Sequence, residues 1–82
     1  MSRLELDVGE RPLLALRDAL HLRGAVGKDA AIALSLGNAL TDEQKHAAHD
    51  AVNDALALVH DEHDRNELSA LRHAIREDLG AP

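Results

Sequence analysis

His46, His49, Asp50, Asn53, Asp54, His60, Asp61, His63 and Asp64 crowd one stretch of this sequence. Imidazole and carboxylate are metal ligands, and residues three or four apart share one face of a helix. His60 stands at that spacing from His63 and Asp64, His46 from Asp50, and His49 from Asn53. Each pair offers two ligands, so a four-coordinate ion would need a second helix or a second copy of the chain, and no HExxH motif is present. His60, His63 and Asp64 are the candidate metal ligands. The plainer reading is a solvated helix face, so no metal and no other cofactor is expected. The same residue types suit a contact that depends on pH, because histidine changes charge between about pH 5 and 8.

Catalytic chemistry finds less support. Cysteine is absent, which removes thiol nucleophiles, thiolate metal sites and disulfides together. Ser2, Ser35, Ser69 and Thr41 lie in no nucleophile motif, and the glycines lack a phosphate-binding spacing. Phe, Tyr and Trp are also absent, so short helices closed by Leu, Ile, Val and Ala leave little room for a substrate cavity. A non-enzymatic role is expected.

The elements that would position these groups are helical. Pro12 suits a helix start, and Leu13, Leu16 and Leu20 recur three and four apart with Leu14 and Ala19 beside them, giving a helix over 11–23 that Gly24 ends. Asp29 is the expected cap of a second helix over 29–39, with Ile32, Leu36 and Leu40 as its buried stripe. Thr41 and Gln44 form a capping-box pair for a third helix over 42–62, whose stripe is Ala48, Val52, Ala55, Leu56 and Val59. Asp64 and Glu67 repeat that pattern before a fourth over 65–79, carrying Leu68, Leu71, Ile75 and Leu79 and stopped by Gly80. The run at 13–20 echoes the run at 68–75, a match that favoured helix residues produce by themselves. The expected architecture is all-α, one domain over residues 1–82, a small four-helix bundle behind an N-terminal arm.

That arm, residues 1–10, is extended or strand-like over residues 3–8. Leu4, Leu6 and Val8 alternate with Arg3, Glu5 and Asp7, the period of a half-buried strand. An isolated strand is unstable, and a chain of 82 residues without aromatics has a thin core. Both points favour a homo-oligomer, with Leu4, Leu6 and Val8 as the self-association candidates.

Fifteen Asp and Glu against nine Lys and Arg give a net charge of −6, which argues against nucleic acid as a partner. No apolar run is long enough for a membrane span and no secretory leader opens the sequence, so a cytoplasmic location is expected. The reading these features favour is an acidic interaction or regulatory protein (adaptor, subunit or inhibitor) that binds a protein partner or itself. Asp50, Asp54, Asp61 and Glu77 are its proposed partner contacts.

The order of alternating arm, Pro-started helix, Gly turn and second helix over residues 3–40 resembles the ribbon-helix-helix DNA-binding dimers. Leu4, Leu6 and Val8 match the buried face of the ribbon, Pro12 and Gly27 the punctuation, and Ile32 the second helix. The resemblance implies a dimer whose paired strands enter the major groove. The sequence departs from it where Glu5 and Asp7 take places that a DNA reader fills with cations and amides. DNA binding and a histidine metal site are therefore the alternatives to the protein-binding role.

Overall fold

Apolar residues recurring with a helical period make every described element a helix. The structure, a computed structural model, describes residues 9–80 and comprises α1 (Glu10–His21), α2 (Gly24–Leu36), α3 (Asp42–Leu58) and α4 (Glu62–Asp78). The expected all-α bundle is thus the observed one. Residues 1–8 of the arm, with Leu4, Leu6 and Val8, lie outside the described residues, as does the ribbon of the ribbon-helix-helix resemblance, while Glu10, expected in the arm, opens α1.

α3 is the hub and packs on the other three helices, whereas α2 and α4 do not touch. Its inward face is built from small residues, Ala48, Ala51, Val52 and Ala55, all essentially inaccessible to water. Small side chains let α1 and α2 approach closely, and the gaps fill with Leu16 and Leu20 from α1 and with Leu68, Leu71 and Ile75 from α4. At matching positions of the two echoing runs, Leu16 and Leu20 are buried in α1 and Leu71 and Ile75 in α4.

The helix ends follow local chemistry. Thr41 Oγ1 accepts from the Gln44 N–H while Gln44 Oε1 accepts from the Thr41 N–H, the capping box read from the sequence. Gly37, at φ 70°, closes α2 with the Asn38 N–H on the Ala33 carbonyl and the Gly37 N–H on the Leu34 carbonyl.

Four expectations are corrected. α2 begins at Gly24, five residues before Asp29, because Gly24 leaves the α1 turn at φ 74° and leads straight into the next helix. Gly27 then sits inside α2, where a Cβ would lie 2.0 Å from the Leu20 carbonyl oxygen. The buried face of α2 is Gly27, Ala30, Ala31, Ala33 and Leu34, and Ile32 and Leu36 are exposed. Close approach favours the small residues inside and turns the larger ones out. α3 ends at Leu58, before residue 62, since Val59 is extended and the Arg65 guanidinium of α4 donates to the carbonyls of Leu56 and Val59. α4 starts at Glu62 with Asp61, not Asp64, as its cap.

Candidate functional site

The histidine and carboxylate cluster on α3 and α4 is distributed among contacts that join helices. Arg23, in the turn between α1 and α2, places Nη2 2.6 Å and Nε 3.0 Å from Asp54 Oδ2, with Nη1 3.8 Å from Asp50 Oδ2. Asp50 and Asp54 are one turn apart, so one guanidinium meets both. Asp61 Oδ1 accepts the N–H groups of His63 and Asp64, and its other oxygen lies 3.7 Å from Arg11 Nη2. The Asp64 carboxylate, only 9% exposed, faces Arg11 Nε at 3.6 Å. Glu77 pairs with His73 at 3.1 Å along α4.

Each of the four expected partner contacts, Asp50, Asp54, Asp61 and Glu77, therefore has a partner within its own chain. The metal candidates separate in the same way. His63 Nε2 faces Glu67 Oε1 at 3.3 Å, Asp64 turns inward to Arg11, and His60 is exposed between α3 and α4. Among the described residues no three His, Asp or Glu side chains converge on a point that could hold a metal ion. Glu67 serves a different end: its Oε2 accepts the Gly9 N–H at 2.8 Å and so fixes where the chain enters α1. Lys45 Nζ, 2.5 Å from Asp78 Oδ2, ties the start of α3 to the end of α4 in the same manner. The exposed pairs among these, such as Arg23 with Asp54, contribute at most about 1 kcal/mol each, so their value is in setting helix register.

The surface that these contacts leave open lies between α1 and α2. Leu14 is 46% exposed, Ile32 55% and Leu36 68%, and an open cleft of about 270 Å³ runs beside them, lined by Arg17, His21, Ala31, Ile32, Ser35 and Leu36. Arg17 Nε is shielded from water there without a hydrogen-bond acceptor. Lys28 projects one turn before Ile32 on the same side of α2. Among the described cations, Arg17, Lys28 and Arg76 have neither an ion pair nor a side-chain hydrogen bond. Two of these three flank the cleft.

This surface is absent from the sequence reading, which placed Ile32 and Leu36 in the core. A signal for it exists: within Gly24–Leu36 only Lys28, Asp29 and Ser35 are polar, and a helix apolar on nearly every side is one covered on nearly every side. α2 has a core face and a second apolar face that its own bundle does not cover.

No protein-family model matches the chain, and neither a curated protein nor a solved structure is similar to it. Among the described residues no helix is long and apolar enough to cross a membrane.

Proposed function

We propose that this chain is a non-enzymatic, acidic helical interaction protein, a regulatory subunit, adaptor or inhibitor that acts by binding protein and that associates with itself. The observation that carries this reading is the outward apolar face of α2, where Ile32 and Leu36 stand exposed at a cleft lined by Arg17 and flanked by Lys28, neither of them in an ion pair. The largest apolar patch on a monomer, rimmed by polar groups, is often a site of protein contact. The acidic balance acts at longer range. Asp50, Asp54, Asp61 and Glu77 stay open to solvent while holding their internal partners, so they shape the field that steers an approaching protein without having to form its core contacts.

Solution mass tests the self-associating part. Light scattering with refractive-index detection suits a chain without Trp or Tyr, which absorbs weakly at 280 nm. The wild-type chain is expected to exceed monomer mass at micromolar concentration, and Leu36→Asp to return it to a monomer with unchanged helicity. A wild-type monomer at every concentration up to the solubility limit would overturn self-association.

A further inference from the structure

We propose that the cleft between α1 and α2 receives the segment Leu4–Val8 of a second copy of this chain, each copy donating its segment to the other. The proposal rests on the self-associating reading above and names the receiving surface.

Area argues against the bare faces meeting each other. Leu14, Ile32 and Leu36 together expose on the order of 300 Å², an ordinary patch for a monomer, whereas a stable dimer buries about 800 Å² per partner. Two reciprocally donated segments, each bringing its own apolar side chains, close much of that gap and make the contact two-fold symmetric.

Chemistry supports the same occupant. Leu4, Leu6 and Val8 alternate with Glu5 and Asp7, so an extended segment presents apolar groups on one edge and carboxylates on the other. The cleft and its border offer the complement: Ile32 and Leu36 in the lining with Leu14 beside them for the apolar edge, and Arg17 in the lining with Lys28 beside it, both without an ion pair, for the acidic one. A carboxylate at Arg17 would also supply the acceptor that its shielded Nε–H lacks. Glu10 and Asp18 on α1 and Asp29 on α2 border this surface, so the match is to Arg17 in the cleft and Lys28 beside it and not to a wholly basic face.

Size and path decide between a chain's own segment and its neighbour's. Five extended residues span about 16 Å, enough to follow the roughly 10 Å of α1 between Leu14 and His21. The chain, however, enters α1 with the Gly9 N–H held by Glu67 of α4, a helix that makes no contact with α2. The described chain therefore begins beside α4, away from α2, and the cleft of a second copy is the seat proposed for the segment.

The absence of native cysteine makes cross-linking a direct test. In the full-length chain, Leu6→Cys combined with Ile32→Cys is expected to give a covalent dimer on mild oxidation, and neither single substitution is expected to do so. Reversing the cleft charges with Arg17→Glu and Lys28→Glu is expected to weaken association about tenfold, and adding Glu5→Arg and Asp7→Arg to restore it. An intramolecular cross-link would overturn exchange between copies. A dimer by mass with no cross-link would overturn the cleft as receiver while leaving self-association standing. A monomer would remove both.

Discussion

Replacing Gly27 by alanine adds one methyl group at the tightest backbone approach in the bundle. The new Cβ would sit 2.0 Å from the Leu20 carbonyl oxygen and 2.9 Å from Arg23 Cβ. That oxygen cannot swing aside cheaply, because it accepts the Arg23 N–H at 3.0 Å in the turn joining α1 to α2. Relief requires α2 to recede by about 1 Å along its alanine face, opening the contacts of Ala30, Ala31 and Leu34. Forced overpacking costs about 1–3 kcal/mol, and a clash against backbone belongs at the upper end. Alanine returns about 1 kcal/mol through its better helix propensity. The expected net loss is about 2 kcal/mol, or a fall in Tm of about 8–16 °C for a domain of this size. Thermal and urea melts followed by circular dichroism at 222 nm, at fixed chain concentration, measure it. Gly37→Ala is the control: at φ 70° with nothing within 4 Å of the added Cβ, it carries only backbone strain of about 1 kcal/mol. A Gly27→Ala chain that melts at or above the wild-type temperature would refute the close α1–α2 crossing.

Four other outcomes follow from burial, capping and ion pairing. Leu68 is fully buried between α4 and the rest of the core, so Leu68→Ala is expected to cost 2–5 kcal/mol (about this range) in urea melts, while Leu36→Ala on the outer face of α2 changes the stability of the monomer by less than about 0.5 kcal/mol. Asp61→Ala removes two hydrogen bonds to the first turn of α4 and is expected to cost about 1 kcal/mol by the same assay. Asp54→Asn, which weakens an exposed pair with Arg23, is expected to cost less than about 1 kcal/mol, with the loss shrinking further in high salt.

The faces of α1, α3 and α4 were legible because each carries most of its apolar residues in a single stripe, although Leu14, expected in the α1 stripe, is exposed. Leu16 and Leu20, then Ala48, Val52 and Ala55, then Leu68, Leu71 and Ile75, all lie where their spacing places them. α2 was not legible for the opposite reason: apolar side chains on nearly every side define no unique inward direction. Close helix approach settled it in favour of glycine and alanine, a choice made by neighbours that local spacing does not reveal. The α4 start was ambiguous because Asp61 and Asp64 are equally good caps by type, and Arg11 decided the matter by drawing Asp64 inward. The carboxylates of the candidate site were identifiable as residue types. Their engagement was not, since Arg23 lies 31 residues from Asp54 and reaches it only once the turn is built.

The two isoleucines allow the outer face of α2 to be watched directly, since Ile32 is exposed there and Ile75 is buried in the core. Selective labelling of isoleucine methyl groups gives one reporter on the proposed contact and one internal reference. As chain concentration is raised, the Ile32 signal is expected to shift or broaden while that of Ile75 holds its position. If Ile32 stays fixed over a concentration range in which the chain's mass doubles, the α1–α2 face is not the contact surface and the account fails at its centre.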